Sequence, residues 1–307
     1  MSILKSKIAI AVHGGAGQDS SFIQQNQDNY KNGLSVAIQT AYEALAKGAS
    51  ALDAVEVAVR IMEDNPVFNA GRGSALNTAG GVEMDAAIMN GIDLRAGAVA
   101  VVTNVRNPIS LARKIMENTQ HVFIGGKGAL EYAKKLNLEV EPDSYFITTH
   151  RYDELVSEKE LEREQILKRK SGGTVGAVAL DLKGNIAAAT STGGIVNGLE
   201  GRIGDSCIIG AGCYADNGSC AISGTGDGEY LIRGVVGHSI ASLVEFSSFQ
   251  LQDACDEVVL KRNSHINADI GVIGIDRSGN FGISFNCPRM HRAWMSSDSP
   301  LQIKIYK

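Results

Sequence analysis

The chain has 307 residues, 44% hydrophobic and 21% charged, with 29 Lys and Arg against 34 Asp and Glu for a formal charge of −5. That balance supports a globular core and excludes wholesale disorder, a basic nucleic-acid platform and, with no apolar run near the ~18 residues a span needs, a membrane helix. Five cysteines without a Cys-x-x-Cys pair exclude a disulfide framework or zinc knuckle, and the N-terminus shows neither a long apolar stretch nor a small-residue cleavage site, so a cytoplasmic location is expected.

In chain order, residues 7–13 read as a buried strand that ends in Gly14-Gly15-Ala16-Gly17. Leu34, Ala37, Ile38, Ala41 and Leu45 recur at helical spacing and predict a helix over about 28–47. A second helix begins after Ser50, where Asp53 is placed for a capping box, and turns Leu52, Val55, Val59 and Met62 inward. Asn65-Pro-Val-Phe-Asn-Ala-Gly-Arg-Gly-Ser74 is a loop signal. Alternating and apolar segments fill 81–103, and further helices fit about 108–118 and 127–136. Twelve of the 23 residues in 151–173 are charged, so this stretch reads as a solvated linker or a loosely held helix.

Beyond the linker the pattern changes to hairpins. Strands over 174–181 and 186–192 flank Leu182-Lys-Gly-Asn185. Strands over 271–276 and 281–285 flank Arg277-Ser-Gly-Asn280. Gly-Asn supplies the positive φ that tight hairpin turns require. A third hairpin is predicted between 208–214 and 219–223, with helices at about 229–245 and 251–262. Hairpins plus long helices predict an α+β fold of antiparallel sheets covered by helices, in one domain without a composition break.

The common catalytic signatures are absent. There is no phosphate-binding Gly-x-x-x-x-Gly-Lys loop, no Gly-x-Ser-x-Gly elbow and no metal-ligand spacing among the six histidines. Gly224-Thr-Gly226-Asp-Gly228 is glycine-rich, but no βαβ unit surrounds it. What survives is Gly173-Thr174, after the charged linker and at the start of a buried strand. A cut between them would give Thr174 a free α-amine, which titrates near 7.7–8.0 and serves as a base close to neutrality. One residue would then hold both nucleophile and base. The glycines before it permit the tight conformation for attack on the preceding carbonyl, and the Thr methyl restricts χ1.

The chain resembles the plant-type asparaginase and isoaspartyl peptidase family of N-terminal-nucleophile hydrolases. The stretches that carry this are His13-Gly-Gly-Ala-Gly17, Phe68-Asn-Ala-Gly-Arg-Gly-Ser74, Met84-Asp-Ala-Ala87, Gly173-Thr-Val-Gly176, Ala189-Thr-Ser-Thr-Gly-Gly194, Gly201-Arg-Ile-Gly-Asp-Ser206 and Thr225-Gly-Asp-Gly-Glu229. They run in family order along nearly the whole chain. The resemblance implies a four-layer αββα sandwich and self-cleavage after Gly173 into chains 1–173 and 174–307. It implies hydrolysis of β-aspartyl dipeptides and L-asparagine through a Thr174 acyl-enzyme that releases aspartate. Thr192 would hydrogen-bond the nucleophile and its amine, and Thr225 and Gly226 would form the oxyanion hole. Arg202 would take the substrate α-carboxylate and Asp205 its ammonium, with Gly228 leaving room and Asn69 helping to hold Thr174. On their own, Arg202 and Asp205 read equally well as a surface ion pair. No cofactor is implied for catalysis. A sodium ion held by the main-chain carbonyls of Met62, Glu63, Asn65, Phe68, Ala70 and Arg72 is implied, as is a tetramer of two α and two β chains.

The chain departs from the family pattern at Cys207, where proline is frequent, and at Gly224, where a larger small residue is common. Near the end, Asn286-Cys-Pro-Arg-Met-His-Arg292 puts Arg289 in place of glycine and His291 in place of an aromatic, a change that bears on the outer pocket and the leaving group. Alternative readings are a glycosylasparaginase, a taspase-like endopeptidase, or an unprocessed amino-acid-binding relative.

Overall fold

The computed structural model describes residues 7–164 and 173–307, so the part of the charged linker from 165 to 172, including Gly172, lies outside the described residues. The elements are β1 (Ala9–Gly17), α1 (Ser21–Gln25), α2 (Gln27–Ala46), α3 (Ala51–Glu63), β2 (Met84–Asn90), β3 (Ala96–Val102), α4 (Pro108–Asn118), β4 (Phe123–Gly125), α5 (Gly126–Lys135), α6 (Asp143–Phe146) and α7 (Thr149–Arg163). They continue with β5 (Val175–Leu180), β6 (Ile186–Thr192), β7 (Cys213–Ala215), β8 (Cys220–Gly226), α8 (Gly228–Gly234), α9 (Val236–Ser247), α10 (Leu251–Asp256), β9 (Ile270–Asp276), β10 (Phe281–Phe285), β11 (Arg289–Ser296) and β12 (Ser299–Tyr306).

Two sheets form. One has eight strands in the order β12-β11-β1-β5-β6-β2-β3-β4, the other four in the order β10-β9-β8-β7. The β5–β6 and β9–β10 hairpins close as their turns predict, with Gly184 and Gly279 at φ +78° and +80°. The larger sheet is not antiparallel throughout, because β3 and β4 pair in parallel. A parallel pair needs a crossover, and α4 supplies it between those two strands. The third hairpin is β7–β8, with a first strand of only three residues.

Three apolar clusters hold these elements together. The largest joins α2 to α5 to the eight-stranded sheet through Leu34, Ile38, Val55, Val59, Met62 and Ile109. The second lies between the sheets and is dominated by alanine, including Ala9, Ala11, Ala87, Ala188 and Ala221, with Ile273 and Met290. Small side chains allow the sheets to approach closely. The third packs β8 and β9 against α8, α9 and α10.

Helix α3 starts as predicted, with Ser50 Oγ accepting from Asp53 N and the Asp53 carboxylate accepting from Ser50 N at 3.1 Å. The single helix expected at 229–245 is broken at Val235, which adopts φ +45°. The break lets the N–H groups of Gly237 and His238 reach the carbonyls of Ala211 and Gly210. The start of the charged segment is helical because it is anchored, not merely solvated: Arg151 Nε donates to Gly73 O at 2.7 Å and Leu155 is buried. No helix among the described residues is long and apolar enough to cross a membrane.

Candidate active site

The central strands converge on the Gly173–Thr174 bond. Thr174 immediately precedes β5, and Thr192 ends β6, whose register places Ser191 opposite Val175. Thr174 is buried, at 4% exposure. Gly15 leaves room for the bond: a Cβ there would come within 3.2 Å of Gly173 Cα and 3.5 Å of Thr174 N. The Gly173 carbonyl accepts two hydrogen bonds, from Thr192 Oγ at 2.8 Å and from Asn69 Nδ2 at 2.9 Å. The orientation of the Asn69 amide is set on both sides, since Nδ2 also donates to Gly194 O at 2.7 Å and Oδ1 accepts from Ala75 N at 2.7 Å. Two donors on one carbonyl oxygen polarise it and would stabilise negative charge developing there.

His13 tethers the other side of Thr174. Its Nδ1 lies 2.9 Å from Thr174 O and its Nε2 2.8 Å from Ser223 Oγ, which in turn lies 2.7 Å from Thr190 Oγ1. Complete burial pushes the imidazole pKa down to about 3, so the ring is neutral. Nδ1 then donates to the carbonyl and Nε2 accepts from the serine. The chain of hydrogen bonds connects β1 and β5 of one sheet to β8 of the other. A lone histidine reads from the sequence as structural. Its place in the first glycine motif was the one signal that it stood near the site.

Thr225 stands at the end of β8, fully buried, and its Oγ1 accepts from Ala16 N at 3.3 Å. Its own hydroxyl proton therefore remains available to an acceptor in the cleft. Gly226 closes the strand and Asp227 caps α8, its carboxylate accepting from Tyr230 N.

The third group surrounds Gly228. Asp205 is buried, and among the described residues its Oδ2 has no hydrogen-bond partner. Burial raises its pKa to about 7 against the opposing pull of Arg202. Arg202 makes a bidentate ion pair, but with Glu229 and not Asp205: Nε–Oε1 is 2.8 Å and Nη2–Oε2 2.9 Å. The surface ion-pair reading of Arg202 with Asp205 is thus replaced by an Arg202–Glu229 pair. Gly228 separates the two charges, and a Cβ there would lie 2.9 Å from both Arg202 Nη2 and Asp205 Oδ1. Asp85, from the Met84-Asp-Ala-Ala motif, holds this loop by accepting from Gly204 N at 2.8 Å and Val101 N at 2.9 Å. Burial raises its pKa to about 6. The structure thus brings a buried carboxylate and a guanidinium to the two sides of one glycine. Sequence reasoning missed Glu229 and Asp85 as parts of this cluster, although both lie inside the quoted motifs.

The loop after α3 carries Asn69 to the Gly173 carbonyl. Along it, Met62 O accepts from Asn65 N at 3.2 Å, Glu63 O from Arg72 N at 2.7 Å and Asn65 O from Phe68 N at 3.2 Å. The Glu63 side chain is buried beneath, with Oε1 accepting from Ser191 Oγ at 2.6 Å and from Ile109 N at 3.1 Å, and burial raises its pKa to about 8. Among the described residues no group of three or more His, Cys, Asp or Glu side chains could hold a metal ion.

Comparison with known proteins places the chain in a family. The family model described as asparaginase matches residues 6–305. An isoaspartyl peptidase of Escherichia coli is 42% identical over 96% of this chain and 95% of its own length. An isoaspartyl peptidase/L-asparaginase of Xenopus laevis is 38% identical over 98% of this chain and 96% of its own. One of Bos taurus is 40% identical over 92% and 91%. On a match that spans nearly every residue and includes each motif at the Gly173–Thr174 bond, the chain belongs to the asparaginase family.

Proposed function

We propose that this chain is a self-processing threonine amidohydrolase that hydrolyses β-aspartyl (isoaspartyl) dipeptides and L-asparagine and releases L-aspartate. The observation that carries this reading is the pair of donors, Asn69 and Thr192, on the carbonyl that immediately precedes Thr174. A carbonyl so polarised beside a hydroxyl-bearing residue is arranged for attack from within the chain. The names of the relatives, isoaspartyl peptidase and L-asparaginase, support the substrate class.

In the processing step the Thr174 hydroxyl adds to the Gly173 carbonyl carbon. The C–N bond breaks as its nitrogen takes a proton, leaving Gly173 esterified to Thr174 Oγ. Water then hydrolyses the ester to free the Gly173 carboxylate and the Thr174 amine. In turnover the amine takes the Thr174 hydroxyl proton and the oxygen attacks the substrate β-carbonyl. The oxyanion forms against the Thr225 hydroxyl and the Gly226 N–H. The amine passes its proton to the leaving nitrogen, and water releases aspartate from the acyl-enzyme. Arg202 receives the α-carboxylate through its planar fork, with Glu229 displaced. Asp205, whose Oδ2 lacks a partner among the described residues, receives the α-ammonium. L-asparagine and a β-aspartyl dipeptide share this amino-acid end and differ only in what leaves.

The single domain would mature into chains 1–173 and 174–307, paired as two αβ units in the cytoplasm. The three apolar clusters support an αββα sandwich, with helices against each sheet and alanines between the sheets. The carbonyls of Met62, Glu63, Asn65, Phe68, Ala70 and Arg72 fit a hard monovalent cation, because an oxygen accepting one N–H keeps a second lone pair. Such an ion would fix the loop that carries Asn69.

The test is Thr174→Ala. The variant should remain near 32.5 kDa and lack turnover, while active wild-type protein should yield a chain starting Thr-Val-Gly-Ala. Activity in the uncut variant refutes the reading. A wild type that stays intact and binds aspartate favours an unprocessed binding protein, and one that prefers glycosylated asparagine favours a glycosylasparaginase.

A further inference from the structure

A cavity of about 90 Å³ opens beside Gly173, reaching from the scissile bond to Arg289 and His291 on β11. It is far larger than the ~10–15 Å³ that one water requires. Four charged side chains border it, and three are already compensated. Arg151 donates to Glu154 at 2.7 Å. Asp19 accepts from Ser20 N at 2.9 Å, Gln24 Nε2 at 2.8 Å and the Tyr306 hydroxyl at 3.2 Å. Arg289 differs. It is only 5% exposed, its Nε donates to Gln18 O at 2.7 Å, and among the described residues its two terminal nitrogens have no hydrogen-bond partner. His291 adds no second cation, because burial lowers its pKa to about 3. Asp19 acts on this guanidinium through space but makes no hydrogen bond to it, and a ligand carboxylate would supply the direct anionic partner that a buried cation favours.

The position of this cavity gives it a meaning under the N-terminal-nucleophile reading, on which the inference rests. The nitrogen of Thr174 becomes the amine that protonates the leaving group. The leaving nitrogen must therefore lie next to that atom, in the space that Gly173 gives up on cleavage. Ammonia fills little of it. The amino acid leaving from a β-aspartyl dipeptide carries a carboxylate one carbon away from its nitrogen. We propose that Arg289 is the receptor for the α-carboxylate of the leaving amino acid, and that this cavity is a leaving-group subsite favouring dipeptides over asparagine. Its planar fork suits a carboxylate, and a half-desolvated charged hydrogen bond would be strong there. Arg289 is a specificity-determining residue on this view, with no part in bond breaking.

The experiment compares β-aspartyl-leucine with β-aspartyl-leucinamide, which lacks only the carboxylate charge, in wild type and Arg289→Gln. The intrinsic reactivity of each substrate is common to both enzymes and cancels. The acid-to-amide ratio of kcat/KM should fall about 10- to 100-fold in the variant, as expected for loss of a hydrogen bond between charged groups. Arg289→Lys should recover part of the ratio, since it keeps the charge without the fork. In wild type, free L-leucine should inhibit asparagine hydrolysis more strongly than leucinamide, an arm that needs no folded variant. An unchanged ratio in Arg289→Gln, or equal inhibition by the two amines, overturns the proposal and leaves the amidohydrolase reading standing. Absence of hydrolysis of every β-aspartyl substrate by cleaved wild type overturns both.

Discussion

The clamp on the Gly173 carbonyl predicts how fast the proposed self-cleavage would run. Thr192→Val is the cleanest perturbation, because valine keeps the shape and the β-branch while removing the hydroxyl. It deletes the 2.8 Å bond to Gly173 O and the acceptor for Gly194 N at 3.2 Å. A preorganised donor at a developing oxyanion is worth about 10²–10³ in rate, or about 2.7–4 kcal/mol. Conversion of Thr192→Val should therefore slow by that factor, with Asn69 still donating at 2.9 Å. Asn69→Ala should cost at least as much, but less informatively. It also strips partners from Gly194 O and Ala75 N, and each buried unpaired group costs about 1–3 kcal/mol of folding free energy. Asn69→Asp separates these effects, since it retains an acceptor for Ala75 N and sets a carboxylate oxygen against two carbonyls. The double variant should not process on a laboratory timescale. Intact mass of purified precursor, followed in time as 307 residues become 173 and 134, measures the rates directly. Processing of Thr192→Val at the wild-type rate would refute the clamp as a source of catalysis.

Two further outcomes follow from the amino-acid end of the site. Gly228→Ala places a methyl 2.9 Å from both Arg202 Nη2 and Asp205 Oδ1, so KM for asparagine should rise at least about tenfold, the scale of one misfit contact; an unchanged KM removes Gly228 from the site. Asp205 must be ionised to hold an ammonium, and burial puts its pKa at about 7 in the free enzyme. Below that value the carboxyl is protonated, so the acid limb of kcat/KM should steepen by about a further tenfold per pH unit beyond the fall that protonation of the Thr174 amine already causes in the free enzyme. A kcat/KM profile whose acid limb is the same in Asp205→Asn and wild type contradicts the assignment.

Much of this architecture was legible in the chain because its signals are local. The Ser50–Asp53 capping box and the Gly184 and Gly279 turns each span four residues, and α4 covers the 108–118 stretch expected of it. Helix α6 and the β11–β12 hairpin were not anticipated, being short or irregular in pattern, and the break at Val235 depends on carbonyls from a loop 24 residues earlier. The proposal of Thr174 as nucleophile came from the sequence for a different reason: a threonine after glycine, behind a charged segment, has a chemistry that requires no distant partner.

Residue types and their short-range order thus determined the hairpins, the long helices and the family, and pointed to Thr174 as the candidate nucleophile. Only sheet closure decided what surrounds it. His13 and Thr174 meet across 161 positions of chain, His13 and Ser223 across 210, and Arg289 reaches Gln18 across 271. Arg202 could have paired with Asp205 three residues on, yet Gly228 intrudes between them and Glu229 takes the fork. Such contacts follow from strand order and from how closely two alanine-faced sheets can pack, and nothing within a few residues of any partner encodes them.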